Sequence, residues 1–311
     1  MTIFTASNSI KRYHCVDLRV RADGIDGVDD RQKRVPGFSQ QALAGATVAV
    51  IGAGGLGSGF AWGAVKKGVG HLVIYDGDVV ALSNLNRQLY SPRDLGKNKA
   101  HRLARNASKA GYLGTRLTAV PYFFQAAVQR GLEVPCDIVF CGVDNDETRV
   151  YVAQQYLDRP VVFTAVSDDA GHGYAAVQEP GKACFGCFRP QALSADTAVA
   201  AGEGACPADP AVIDVVSLVA MLALYALDSL IMARPRAWNF KQIALHGLFP
   251  DVSTVVARRP DCPLCGGAVS ATRSSPPSAP HGHGSAEFVP DVLATASRQR
   301  PDGPKTVRRG E

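Results

Sequence analysis

The apolar run Ala46-Thr-Val-Ala-Val-Ile51 leads without a break into Gly52-Ala-Gly-Gly-Leu-Gly57, and no other feature of the chain limits its fold as much. A short apolar run that ends at glycine reads as a parallel strand buried on both faces. The glycines at 52, 54, 55 and 57 let the backbone turn tightly and let phosphate approach main-chain N–H groups at the start of a helix. A helical stretch continues to Gly68, and His71-Leu-Val-Ile-Tyr75 reads as a second strand ending at Asp76. This is a strand-helix-strand unit with an acid placed for ribose hydroxyls. A nucleotide is implied. The same G-x-G-x-x-G spacing serves NAD enzymes, so the loop points to the fold and leaves the ligand open.

Further along, Asp137-Ile-Val-Phe-Cys141 and Pro160-Val-Val-Phe-Thr164 are short apolar runs separated by a helical stretch. With the first unit they predict one α/β domain built on a Rossmann-like, doubly wound, mostly parallel sheet. Residues 211–233 carry a long apolar helical pattern. Residues 1–43 are polar and irregular and are expected to form an N-terminal segment with a helix or two, ahead of a folded domain over 44–269. From 270 to 311 Ser, Pro, Gly and His dominate, and that composition predicts a flexible tail. No run is read as reaching the roughly 18 apolar residues of a membrane span, and the start lacks the apolar core of a signal peptide. A cytoplasmic protein without membrane association is therefore expected. The net charge of +5 is spread along the chain, with no basic stripe interleaved with aromatics, which gives nucleic-acid binding no support.

The segment after Asp76 bears on the choice between NAD and ATP. Asp76-Gly-Asp-Val-Val-Ala-Leu-Ser-Asn-Leu-Asn-Arg-Gln88 brings Asn84, Arg87 and Gln88 close behind the ribose acid, and Gly96-Lys-Asn-Lys99 sets Lys99 at a helix start. A dinucleotide has a single pyrophosphate and little use for an added Arg and Lys. A triphosphate has three phosphates to neutralise.

Arg31-Gln32, GAGGLG, the D-G-D-x-V-x-x-SNLNRQ stretch, G-K-x-K and Asp144-Asn-x-x-Thr-Arg149 follow one another in an order that resembles the ubiquitin-activating superfamily, in particular its bacterial MoeB and ThiF members. With two C-x-x-C pairs added, the resemblance spans roughly residues 29–267. It implies an ATP-dependent adenylyltransferase that activates the C-terminal carboxylate of a small ubiquitin-like or sulfur-carrier protein ending in Gly-Gly. In that family the glycine loop and Asp76 hold adenine and ribose, and Asn84, Arg87 and Lys99 match the triphosphate-binding positions, with Gln88 and Asn145 beside them. Asp144 matches the acid that works with Mg²⁺ at the reacting phosphate. Arg31 matches an arginine that crosses to the neighbouring protomer's phosphates, so a homodimer with shared sites is implied. The chemistry agrees with the residue types. An ionised carboxylate needs no general base, but two anions must meet and pyrophosphate must leave, which calls for cations.

Cys184-Phe-Gly-Cys187 and Cys262-Pro-Leu-Cys265 have the spacing of a four-thiolate structural Zn²⁺ site, and the resembling family binds zinc with the same two pairs. Cys206, in Gly202-Glu-Gly-Ala-Cys-Pro207, matches the crossover cysteine that takes the activated carboxylate in some relatives, although the sequence after it departs from the family. An ordinary loop cysteine is the other reading. Cys136 and Cys141 flank a strand and are expected to be packing. His172 is expected on a surface loop, with a place near the substrate channel as the alternative, and His281 and His283 belong to the tail. Two rival functions stay open: an NAD-linked oxidoreductase with structural zinc, which leaves Arg87, Lys99 and Asp144 without a task, and an inactive scaffold of the same fold.

Overall fold

The computed structural model describes residues 15–19, 27–193 and 211–266. In chain order its strands are β1 Val16–Arg19, β2 Thr47–Ile51, β3 His71–Tyr75, β4 Arg116–Val120, β5 Ile138–Cys141, β6 Val161–Val166, β7 His172–Gln178, β8 Phe240–Ala244 and β9 Val252–Thr254. The helices are α1 Asp30–Lys33, α2 Gln40–Gly45, α3 Gly55–Lys67, α4 Lys99–Ala110, α5 Phe124–Gln129, α6 Asp146–Gln155, α7 Phe185–Phe188 and α8 Ile213–Met232.

Among the described residues these strands make one sheet in the order β1-β4-β3-β2-β5-β6-β7-β8-β9. Its centre, from β4 to β6, is parallel throughout. The edges are antiparallel, with β1 on β4 at one side and β7, β8 and β9 added at the other. The expectation of a parallel α/β sheet therefore holds for the centre. The sequence reading lacked β1 and the three added strands: β1 lies inside the segment expected to be helical, which carries two short helices besides. From β2 the chain winds outward through β3 and β4, then returns to build β5 and β6 on the other side of β2. The order reverses between β2 and β5, and their C-terminal ends open a crevice where α/β sheets bind ligands.

Side chains of the parallel strands feed a core on each face of the sheet. Val48, Val50, Leu72 and Ile74 pack with α3, α4 and α8, while Ala49, Ile51, Val73 and Tyr75 pack with α5 and α6. The α3 and α8 helices come close because α3 carries glycine every fourth residue. A Cβ on Gly55, Gly59 or Gly63 would lie 3.0, 3.2 or 2.2 Å from Val216, Ala220 or Leu224, the matching positions of α8. Lys67 at the end of α3 pairs with the buried Asp228 of α8 at 2.5 Å. By length and composition α8 does pass for a membrane span, with a mean hydropathy of 2.2, against the expectation of no such run. It is a core helix here: its buried face, from Val215 to Leu227, belongs to the same core as α3.

Candidate functional site

The crevice is a cavity of about 1400 Å³ lined by Gly52, Gly54, Gly55, Asp76, Asn84, Arg87, Gln88, Lys99, Asp144 and Asn145, all read from the sequence as nucleotide-facing. Gly52 ends β2 with φ of +91°, a left-handed conformation in which any side chain is strained, and its Cβ would sit 3.1 Å from the Gly142 carbonyl. Gly54 caps α3 and has open space around it. Gly54, Gly55 and Leu56 at the start of α3 line the crevice, and the first N–H groups of a helix have no intrahelical partners, which suits such a place to phosphate. Gly57 has a different task. It is buried, and a Cβ there would fall 1.9 Å from the Gly52 carbonyl, so it lets α3 lie against the end of β2 and does not line the cavity.

Asp76 is held in place by backbone: its Oδ2 accepts from Ala53 N–H at 2.7 Å and its Oδ1 from Asp78 N–H at 2.8 Å. Burial raises its carboxyl above the usual carboxylate value, against the Lys99 ammonium and the two N–H groups, which lower it. The Asn84 carbonyl accepts from Ala81 N–H at 2.9 Å, which closes the single 3-10 turn Leu82–Asn84 and orients its amide. Arg87 donates to Ser83 O at 2.8 Å and to Asn86 Oδ1 at 3.0 Å. Gln88 is buried, and its Oε1 has no hydrogen-bond partner in the protein. Lys99 opens α4, with Nζ 3.0 Å from Asp78 Oδ2 and its own N–H donating to the Asp78 carbonyl at 2.8 Å.

Across the cavity, Asp144 follows β5 and is exposed, with Asn145 Nδ2 donating to it at 3.3 Å. Asn145 itself caps α6, accepting from Thr148 N–H at 2.8 Å. Arg31 lies on α1, exposed and away from the cavity lining. Cys206 falls outside the described residues. His172 is not on a loop: it opens β7, is half-buried and lines the cavity.

Three residues with clear tasks were not singled out in the sequence. Asn98 caps α4 through His101 N–H and donates to the carbonyls of Asp76 and Asp78 at 2.9 and 3.1 Å, tying Asp76 to the helix that carries Lys99. Its signal was the asparagine inside G-K-N-K. Asp78, the second acid of D-G-D, is the counter-ion of Lys99. Arg149, 7% exposed, donates to the Val143 carbonyl at 2.7 Å and to Asp146 at 2.6 Å, and so braces the loop that carries Asp144.

The two cysteine pairs meet. Cys184 Sγ lies 3.9 Å from Cys187 and 3.5 Å from Cys262, and Cys187 lies 3.5 Å from Cys265. A Zn²⁺ tetrahedron with bonds of about 2.3 Å has sulfur–sulfur edges of about 3.8 Å, so the cluster is compatible with zinc. Arg259 N–H donates to Cys187 Sγ at 3.4 Å, as expected where a thiolate needs compensation. Gly266 closes the second turn, where a Cβ would be 2.2 Å from the Pro260 carbonyl. Cys136 and Cys141 are buried in or beside the sheet and take no part in this cluster.

The profile of the ThiF family matches residues 28–264, which takes in every element from α1 to the second cysteine pair's first member. The chain belongs to the ThiF family. Within it, ubiquitin-like modifier-activating enzyme 5 of Xenopus laevis is 33% identical over 188 residues, 55% of this chain and 47% of that protein. The enzyme 5 of Oryza sativa subsp. japonica is 29% identical over 209 residues, 61% of this chain and 48% of that protein. The chain thus spans about half the length of these curated relatives. Among solved structures, E. coli MccB with ATP superposes with a TM-score of 0.62 at 20% identity, covering 73% of this chain and 68% of MccB. PaaA gives 0.53 at 21% identity, over 71% of this chain and 67% of PaaA. These two likenesses show a shared fold.

Proposed function

We propose that the chain is an ATP-dependent adenylyltransferase that converts the C-terminal carboxylate of a small ubiquitin-like or sulfur-carrier protein into an acyl-adenylate. One observation carries the reading: the ribose acid Asp76, the polar and cationic set Asn84, Arg87, Gln88 and Lys99, and the acid Asp144 line a single cavity at the sheet's switch point. An NAD enzyme uses the ribose acid but has little use for the added Arg87 and Lys99. Membership of the ThiF family supports the same chemistry, as does the likeness to ubiquitin-like modifier-activating enzyme 5.

In the proposed reaction the glycine loop and the N-terminus of α3 take the phosphates while Asp76 accepts from the ribose hydroxyls. A carboxylate oxygen of the carrier attacks the α-phosphorus, the bond from that phosphorus to the bridging oxygen breaks, and pyrophosphate leaves. Arg87 and Lys99 offset charge on the triphosphate and on the leaving group. Lys99 must exchange Asp78 for phosphate oxygen to do so. Mg²⁺ held at Asp144 would supply further charge neutralisation. The four cysteines would hold one structural Zn²⁺. Arg31, exposed and off the cavity, is assigned to the site of a second protomer in a homodimer. Cys206 is assigned no part in adenylation; if it accepts the acyl group, it acts afterwards.

The test is ATP–pyrophosphate exchange with small proteins or peptides ending in Gly-Gly. Exchange that depends on the carrier and disappears in Lys99→Ala supports the proposal. Exchange at the wild-type rate in Lys99→Ala, or saturable NADH binding in place of ATP binding, would overturn it. Cys206→Ala should leave exchange intact and abolish only a covalent carrier adduct, if one forms.

A further inference from the structure

Beside the cavity, which His172 lines, the turns after β6 and β8 and the start of β7 bring three metal-ligating side chains together. His246 Nε2 lies 3.2 Å from Asp169 Oδ2, and His172 Nδ1 lies 3.6 Å from Asp169 Oδ1. The three ligand atoms all lie within 4.8 Å of one another. The second separation is too long for a hydrogen bond, and His172 Nδ1 is buried with no hydrogen-bond partner in the protein. Two ligands each about 2.1 Å from one metal ion stand about 2.9 to 3.4 Å apart; His246 meets this at Oδ2, and His172, which faces Oδ1, has to move by a few tenths of an ångström or more to share an ion with it.

We propose that Asp169, His172 and His246 form a second metal site, which takes a borderline divalent ion such as Zn²⁺, Co²⁺ or Ni²⁺ through two imidazole nitrogens and one carboxylate oxygen. Imidazole ligands exclude Mg²⁺ and Ca²⁺ as the fitting occupants. The carboxylate is pre-oriented, because Ser167 Oγ and Gly171 N–H donate to its Oδ1 at 2.5 and 2.9 Å and leave Oδ2 turned toward His246. Such outer contacts fix first ligands in known metal sites. The ring of His246 rests on Gly171, where a Cβ would fall 2.0 Å from its Cδ2 and Nε2. His172 is held from the other side by Phe249, with ring centroids 4.9 Å apart.

Ligation has one local cost. Leu248 N–H donates to His246 Nδ1 at 3.1 Å, so without metal the ring proton sits on Nε2. With metal on Nε2 the proton moves to Nδ1 and the Leu248 amide turns to water, which is at hand because Leu248 is 80% exposed. Three protein ligands leave open positions, unlike the closed four-cysteine site. His172 lines the cavity, while Asp169 and His246 stand behind it, so the ion would sit at the cavity's edge. The site does not rest on the adenylation reading.

Co²⁺ titrated into the full-length protein distinguishes the two sites by colour. Cobalt on thiolates gives an intense charge-transfer band, and cobalt on nitrogen and oxygen gives only weak visible bands. Saturable binding with the weak bands is expected in the wild type. His246→Ala should abolish them with unchanged circular dichroism, and Gly171→Ala, which removes no ligand, should weaken binding by at least about tenfold. No weak-band cobalt in the wild type would overturn the proposal. So would bands that persist in His246→Ala, as they would if His281 and His283 held the ion.

Discussion

Lys99 shows how much a single side chain must do in this site. Its ammonium sits 3.0 Å from Asp78, so the free protein keeps the charge in place without leaving it unpaired. In Lys99→Ala, pyrophosphate exchange is expected to fall by about a hundredfold or more, since a charge aimed at reacting phosphates contributes about 3 kcal/mol in the transition state. Asp76 carries a pH dependence of definite sign. Burial raises its pKa from the 3.8 of a free aspartate, so the acid protonates earlier on the way down in pH. The burial cost to folding is therefore present above the folded pKa and is relieved as pH falls below the unfolded one. Nucleotide affinity runs the other way. It should drop as pH falls through the raised pKa, because the protonated acid loses acceptor capacity for ribose, and ATP titrations of Asp76→Asn should be flat over the same window. Asp76, Asn84, Arg87 and Lys99 were legible because their motif is contiguous. Asn98 and Arg149 stand inside quoted motifs, but their tasks were not legible, because what they hold are backbone carbonyls, and a carbonyl has no sequence signature.

At the level of elements, two glycines of the loop separate into a cavity-lining position, Gly54, and a packing position, Gly57. Gly54→Ala meets nothing within 4 Å and should leave the melting temperature unchanged. Gly57→Ala puts a methyl 1.9 Å from the Gly52 carbonyl, a backbone atom that cannot swing away. It should cost about 1–3 kcal/mol of stability and lower ATP affinity with it, measured by urea unfolding and calorimetry. Both glycines look alike in G-A-G-G-L-G. The helix α8 was legible as a helix from its apolar pattern, and its burial against α3 was not, since the glycine stripe that admits it lies some 160 residues earlier, as the Lys67–Asp228 pair at a separation of 161 shows. The strands β7 to β9 escaped notice for another reason. In β7 a histidine, a glycine and a glutamine interrupt the apolar pattern although the strand is buried, and β8 and β9 are half-exposed, so all three lack the continuous apolar run that marked β2 and β3.

For the molecule as a whole, the cysteine cluster joins the turn after β7 to the end of the described chain. Purified protein should carry about one Zn²⁺ per chain at this cluster, and Cys262→Ser should lose metal and melting temperature together. Full activity and unchanged melting in metal-free protein would remove the zinc from the proposal. The homodimer is tested by mixing Arg31→Ala with Lys99→Ala: a shared site predicts partial recovery of exchange once subunits trade, and no recovery places Arg31 outside the neighbouring site. The pairs were legible from spacing alone, whereas the tail over 270–311 and Cys206 lie outside the described residues.

The contact between α3 and α8 also sets a timetable for the nascent chain. The glycine face of α3 leaves the ribosome about 160 residues before Asp228 and the apolar face that covers it. At synthesis rates of about 5–20 residues per second, that face waits roughly 10–30 s for its partner. During this interval the parallel strands have been made while one side of their core stands open to water. A protein assembled in this order completes its crevice late, because Val216, which lines the crevice beside Gly55, arrives with α8. Stalled chains ending before residue 213 should therefore be captured by chaperones that bind apolar surface, and chains extended past α8 should be released.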